Sequence, residues 1–500
     1  MLLAALLAVG LGTPADSTLI RFLSINDFHG SLEPRSYGWS GGRQVGGAAA
    51  LKATLDSAAA ECRCAVFRLD GGDQMQGALA SNLVYGRSVI EAMNAIGLDA
   101  AAVGNHELDW GIDTLRARMR ESAYGWIAAN VFDSVSGRRP AWAVPYRMLE
   151  RGGHRVAVIG YMSARSKAMI SSWAGAGLVW RSGRGAIRDV LDAVRRERPE
   201  LTVIVAHEGA FCDSLPCRGE VVDLALELDS TEVQLIVSGH THSLVNTVVR
   251  GIPIVQSRSS GTAFGIADYI RRSDGSTGWR IRVETTWADR VTPDSVVEAI
   301  VAKYRPMVDR LAKAKVALLR DSLLRRGDQF ALGNLIADAQ RAVRPGTDFA
   351  IMNNGGIRRD LYPGQLTYND LFELQPFGNN VTRVWITGRG LKEVMEHAVR
   401  SGRANFHISG LTVRYDPRKP VGERVVEMRR TNGTPVRADR TYILALSDFL
   451  QTGGDGLNML RDLPNRRTGS TDLDALSAYL KRLRQPVIPP AAKRFISVVP

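Results

Sequence analysis

The chain has 500 residues, 45% of them hydrophobic, and a formal net charge of +13. Such a length and apolar share allow a full buried core and two domains, and exclude a small stapled scaffold. The charge suits an anionic substrate, but 55 of the 64 basic residues are Arg and no basic run with interleaved aromatics occurs, so no nucleic acid polymer is expected as partner.

In chain order, Met1 to Gly12 form an apolar run that ends in small residues around Thr13, Pro14 and Ala15, which reads as the hydrophobic part of a secretory signal over residues 1–17. The run lacks a basic start and is too short to span a bilayer, and no second stretch of membrane length follows. An exported protein, periplasmic or extracellular, without stable membrane insertion is expected. Four Cys fit an oxidising compartment. Cys212 and Cys217 are spaced to close a small loop, whereas Cys62 and Cys64 are badly spaced to bond each other, and neither pair has the gap of a zinc knuckle.

From residue 18 to 291, short apolar runs alternate with Gly- or His-rich corners and helical patterns, which predicts an α/β domain built on a layered sheet. Residues 292–325 open with Thr292-Pro293-Asp294-Ser295 and place Val297, Ile300, Val301, Tyr304, Val308 and Leu311 at helix period, predicting a connecting helix. Residues 326–500 predict a second, α+β domain: a helix from Leu332, a strand over Phe349 to Met352, a Gly corner, then further strands and helices.

Five apolar runs of the first domain each end in residues that bind metals. The corners are Asn26-Asp27-Phe28-His29, Asp70-Gly71-Gly72-Asp73, Gly104-Asn105-His106-Glu107, Ala206-His207-Glu208 and Ser238-Gly239-His240-Thr241-His242. In an open α/β sheet, ligands bind at the carboxyl ends of strands, so these corners converge on one crevice. Singly, an Asp-x-His is more often a turn than a ligand. Yet five of the chain's eight His sit at these corners, leaving His154, His397 and His407 as ordinary histidines. Imidazole and carboxylate together suit two borderline divalent ions of the zinc, manganese or cobalt type, with Asp73 as the natural bridge.

This ordered set resembles the calcineurin-type metallophosphoesterase superfamily over about half the chain. The resemblance implies that one metal is held by Asp27, His29, Asp73 and His242, and the other by Asp73, Asn105, His207 and His240. Many nucleotidases of this kind carry Gln or Asn where this chain has His242. The implied reaction is attack on a phosphate ester by a hydroxide held on the ions, with His106 as general acid or transition-state donor. Asp109 either fixes the His106 imidazole, as the resemblance implies, or caps a helix ahead of Trp110.

Three segments of the second domain set polar or aromatic side chains beside glycines, which let backbone approach a ligand closely. They are Asn353-Asn354-Gly355-Gly356-Ile357-Arg358, Leu374-Gln375-Pro376-Phe377-Gly378-Asn379, and Asp448-Phe449-Leu450-Gln451-Thr452-Gly453-Gly454-Asp455-Gly456. Phe377 and Phe449 offer faces for a base, Asp455 suits ribose hydroxyls, and Arg358 suits phosphate. Together they resemble the C-terminal domain of 5′-nucleotidases and UDP-sugar hydrolases, extending the likeness to nearly the whole chain. That likeness implies substrate-binding roles for Asn353, Arg358, Phe377, Phe449 and Asp455, and for Arg326, with Arg325 as the alternative register. It also implies a C-terminal domain that swings on the helix after Thr292. The expected activity is removal of the 5′-phosphate from nucleotides, with UDP-sugar hydrolysis open. The alternatives are a 2′,3′-cyclic-nucleotide phosphodiesterase with 3′-nucleotidase activity and a catalytically inactive nucleotide-binding protein. Oligomeric state is not legible.

Overall fold

A computed structural model describes residues 17–170, 174–490 and 493–499. The predicted secretory segment lies almost wholly outside the described residues. Two six-stranded sheets form the first domain. One runs in the order Thr277–Thr285, Ala263–Arg271, Ser17–Ile25, Ala65–Asp70, Ala100–Ala102, Gly125–Ile127, and the other Leu244–Val249, Ile252–Ser257, Leu235–Ser238, Leu201–His207, His154–Met162, Tyr146–Arg151. The central strands of each are parallel, with Ile25 beside Asp70 in one and Ala206 beside Ser238 in the other.

Strands buried on both faces need continuous apolar runs, and this explains their composition. Ile20, Phe22, Phe67 and Ala102 meet Val156, Val158, Val203 and Val237 between the sheets. The outer faces are covered by Ala48–Ala60 and Arg87–Ile96 on one side, and by Arg188–Glu197 and Glu220–Glu227 on the other. The result is the expected layered sandwich of helix, sheet, sheet and helix.

The connecting helix is shorter than its predicted stretch. It spans Ser295–Ala312, opened by Asp294, whose carboxylate accepts from the Val296 and Val297 amides. Val297 and Val301 enter the first domain's core, while Val308 and Ala312 pack on the second. The helix cannot continue to 325, because Lys315–Leu319 is a strand paired antiparallel with Gly364–Thr367, and it buries Val316, Ala317 and Leu319.

The second domain's five-stranded sheet runs Phe406–Ser409, Phe349–Asn353, Thr441–Ser447, Asn380–Thr387, Asn465–Thr471. Ala331–Ala342 and Asp472–Arg482 cover one face, and Gly388–Ala398 covers the other. Both cysteine pairs are bonded. The Cys212–Cys217 loop is as expected, but Cys62–Cys64 corrects the sequence reading: the turn after Ala60 brings their Cα atoms to 5.3 Å, inside the range a disulfide spans. Among the described residues no helix is long and apolar enough to cross a membrane.

Candidate active site

The five corners do converge. Two clusters of converging ligand atoms form at the strand ends, Asp27 with His29 and His242, and Asp73 with His207 and His240. In the first, His29 Nε2 lies 3.0 Å from His242 Nε2, and His242 Nε2 lies 3.4 Å from Asp27 Oδ1. In the second, His207 Nε2 is 3.1 Å from Asp73 Oδ2, 3.1 Å from Asn105 Oδ1 and 3.2 Å from His240 Nδ1. Asp73 Oδ2 also lies 3.9 Å from His29 Nε2, which places it between the clusters.

Backbone carbonyls set the imidazole tautomers. His29 Nδ1 donates to the Gln76 carbonyl and His207 Nδ1 to the Gly71 carbonyl, both at 2.8 Å. Each ring therefore turns its Nε2 toward its cluster, the orientation that metal-binding histidines use. Lone pairs and carboxylates pointed at one another repel unless a cation sits among them. This donor set fits two divalent ions.

The protonation pattern carries the same message. Burial alone would depress His207, but Asp73 overcomes it and lifts His207 to about 10, while Asp73 is held well below the usual carboxylate range. Burial pushes Asp27 up, yet His242 and His207 hold it at about 2. Burial, reinforced by neighbouring His, lowers His29 to about 3 and His240 to about 4. Positive charge is demanded at the carboxylates and refused at the flanking rings.

The backbone is bent to aim these groups. Asp27, His29, Asp73, His240 and His242 all have φ between 50° and 77°, a region costly for side-chain-bearing residues. Gly104 allows the closest approach: a Cβ there would stand 2.2 Å from Asp73 Oδ1. Glu107, quoted in the sequence motif without a role, braces the loop. Its carboxylate accepts from the amides of Asp73, Gln74, Met75 and Gly104. Burial and the nearby Asp73 push Glu107 up to about 7 against those bonds. Asn26 was likewise missed; its Nδ2 donates to Asp27 Oδ2 at 2.7 Å and fixes that carboxylate.

His106 Nδ1 contacts Asp109 Oδ2 at 2.7 Å, and its Nε2 faces Asp73 Oδ2 at 4.0 Å. Burial lowers the imidazole pKa, but Asp109 and Asp73 together raise it above the ordinary value. Asp109 is not the N-terminal cap of a helix: it follows the 3-10 turn His106–Leu108, and Gly111 precedes the helix Ile112–Glu121.

A cavity of about 370 Å³ joins the two domains. Asp73, Asn105, His106, Asp109, His240 and His242 line one wall, and Asn353, Arg358, Phe377, Phe449 and Asp455 line the other. Asp27 and His207 lie behind the first wall, fully buried. Phe377 stacks on His106 with ring centres 5.3 Å apart, and Arg358 lies 5.7 Å from the Phe377 ring. Asn353 Nδ2 donates to Asp455 Oδ2 at 2.6 Å, and Asp455 itself holds a φ of 52°. Gly454 leaves room for the Phe449 ring, 2.5 Å from where a Cβ would stand.

Arg326 is not brought to this cavity. Both it and Arg325 are exposed; Arg325 donates to the Ile357 carbonyl at 3.1 Å and to Asp360 Oδ1 at 3.2 Å, and lies near enough to Arg358 to help depress its pKa, after burial and against the pull of Asp73. Neither Arg lines the cavity. Met169 lines the cavity without any sequence signal, and so does Asn379, quoted in its segment without a role.

Residues 20–244 match the calcineurin-like phosphoesterase family, and residues 310–462 match the 5′-nucleotidase C-terminal domain. The chain is 29% identical to the endonuclease YhcR of Bacillus subtilis (strain 168), over 95% of this chain but only 40% of that protein. It is 28% identical to a 5′-nucleotidase of Vibrio cholerae, over 93% of this chain and 91% of that one. Among solved structures, a 5′-nucleotidase precursor from Thermus thermophilus superposes with a TM-score of 0.85 at 25% identity, covering 96% of this chain and 99% of that chain.

Proposed function

Because the chain belongs to the 5′-nucleotidase family, with a metallophosphoesterase domain and a 5′-nucleotidase C-terminal domain, we propose that it is an exported hydrolase that removes the 5′-phosphate from nucleotides. One observation carries this reading: a single cavity sets the metal-type ligands and His106 against Arg358, two Phe rings and Asp455. The first wall suits a phosphate and the second a nucleoside.

Asp27, His29, Asp73, Asn105, His207, His240 and His242 would hold two divalent cations, which when bound neutralise phosphate charge and acidify water. Arg358 pairs with phosphate oxygens by its planar fork. Phe377 and Phe449 take the base, and Asp455, pinned by Asn353, takes ribose hydroxyls. Asp109 holds the His106 imidazole by its Nδ1 proton, which leaves Nε2 to carry the proton that is donated. That proton passes to the departing nucleoside oxygen. The two disulfides support an oxidising compartment, hence export.

The test is hydrolysis of AMP, UDP-glucose, 3′-AMP, 2′,3′-cyclic AMP and single-stranded DNA, read by separation of the products together with phosphate release, before and after chelation and re-addition of manganese, zinc or cobalt. Metal-restored phosphate release from AMP is expected, and turnover of UDP-glucose would widen the substrate range. Preference for the cyclic, 3′ or polymeric substrates would overturn the reading, as would binding without turnover.

A further inference from the structure

Residues 76–82 of the first domain are bonded to the ligand clusters on one side and to the second domain on the other, yet none of them lines the cavity. Toward the ligands, His29 Nδ1 donates to the Gln76 carbonyl at 2.8 Å, and the Ala78 amide donates to the His29 carbonyl at 2.9 Å. A Cβ on Gly77 would stand 2.3 Å from that same His29 oxygen, so the turn is packed onto the ligand with no room to slide. Toward the second domain, Gln76 Nε2 and Asn82 Nδ2 both donate to the Pro376 carbonyl, at 3.1 and 2.8 Å. Asn82 Oδ1 accepts from the Gly77 amide at 3.0 Å, which orients the side-chain amide so that Nδ2 faces Pro376.

Pro376 immediately precedes Phe377, whose ring stacks on His106. Apolar packing also joins the domains here: Leu79, on the short helix Leu79–Asn82, is buried in the second domain's core, with Leu83 packed against it. Such packing holds two surfaces together without fixing a direction. Two hydrogen bonds to one carbonyl oxygen do fix a direction, since each weakens steeply off its angle and together they use both lone pairs. They act one peptide from the stacking ring, and Gln76 is 2% exposed, so water has no access to replace its bond. Geometry of that strictness beside Phe377 is more than cohesion of the domains requires.

We propose that Gln76 and Asn82 are positioning residues for the reaction. By holding the Pro376 carbonyl they set Phe377, and with it the nucleoside slot, in register with the turn that supports His29. A phosphate attached to a nucleoside then meets the ligand clusters as its base meets Phe377, so the two walls act on one substrate at once rather than each on its own ligand. The register favours a phosphate ester that carries its base at one fixed distance, over free phosphate or a free nucleoside. The inference rests on the nucleotidase reading of the cavity.

The test is a pair of calorimetric titrations of the manganese-loaded protein, one with adenosine and one with the AMP analogue in which a methylene replaces the ester oxygen, so that it resists hydrolysis. Adenosine needs only the second wall, whereas the analogue reaches both. The parent is expected to bind the analogue more tightly, and that margin measures the register of the walls. Asn82→Asp keeps the acceptor for the Gly77 amide but sets a carboxylate against the Pro376 carbonyl. Gln76→Glu likewise sets a carboxylate there, while its own carbonyl still accepts from His29. Each should cut the margin about tenfold, the effect of one lost hydrogen bond at a buried carbonyl, with adenosine affinity and bound manganese per chain unchanged. A role confined to stability would lower those two readings instead. Equal affinity for both ligands in the parent, a margin that survives either substitution, or a loss of adenosine affinity or manganese that accounts for the lost margin would overturn the assignment. AMP hydrolysis by the parent is measured alongside; its absence would count against the nucleotidase reading alone, because the titrations need no turnover.

Discussion

Gly104→Ala is a small change with a large expected effect. The added Cβ would stand 2.2 Å from Asp73 Oδ1 and 2.6 Å from the Asp73 amide. A carbon and an oxygen need roughly 3.2 Å, so the bridging carboxylate or its backbone must retreat by about 1 Å. Neither can do so freely. Asp73 Oδ1 accepts from the His106 amide at 2.9 Å, and the Asp73 and Gly104 amides both donate to Glu107 Oε2. A shift of about 1 Å in a group that positions the reaction costs about a hundredfold in rate, and overpacking costs about 1 to 3 kcal/mol of stability. The assay is kcat/KM for phosphate release from AMP, with bound metal measured on the same sample. Gly185→Ala is the control, since a Cβ there meets nothing within 4 Å, and it should stay within about 0.5 kcal/mol of the parent. Parent-like activity and metal content in Gly104→Ala would refute the assignment of Asp73 as a tightly held bridging ligand.

His106→Ala should lower kcat on AMP by about 10² to 10⁴ and leave nucleotide affinity nearly unchanged, as expected for a proton donor; a change in affinity alone would contradict it. Phe449→Ala should raise KM for AMP with little loss of kcat, by the factor that about 1 to 3 kcal/mol of stacking sets, and steady-state kinetics would show it. His407 is fully buried with neither ring nitrogen bonded, and burial lowers its pKa to about 3. The unfolded chain then binds more protons below the ordinary His value of about 6.5, so stability is present at neutral pH and lost as pH falls from there toward 3. The loss between pH 7 and pH 5 is about 2 kcal/mol. His407→Leu should narrow the difference in unfolding midpoint between those two pH values, and an unchanged difference would contradict a neutral buried ring. Chelation should lower the melting temperature of the parent, since ions held only by the folded state stabilise it; scanning calorimetry with and without added manganese measures it.

Much of the site was legible because strand ends concentrate chemistry. Asp27, Asp73, Asn105, His207 and His240 each follow an apolar run, and parallel pairing of those strands forces their ends together. Asp294 was readable as a helix start, since its side chain caps locally. The helix end was not readable, because Lys315–Leu319 becomes a strand only through its partner Gly364–Thr367, far along the chain. The same holds for Glu107 and Asn26, whose roles depend on backbone amides and carboxylates that sequence spacing does not reveal. The Cys62–Cys64 bond depended on the turn geometry after the helix Ala48–Ala60, which spacing alone misjudged.

Activity on AMP followed as manganese is returned to chelated protein tests the central claim most directly. Two clusters with Asp73 between them, read as a paired centre, predict that full activity returns only as the second equivalent of metal per chain binds, and that Asp73→Ala never regains it. Full activity at one equivalent, or in the absence of any metal, would contradict a paired centre facing the nucleotide.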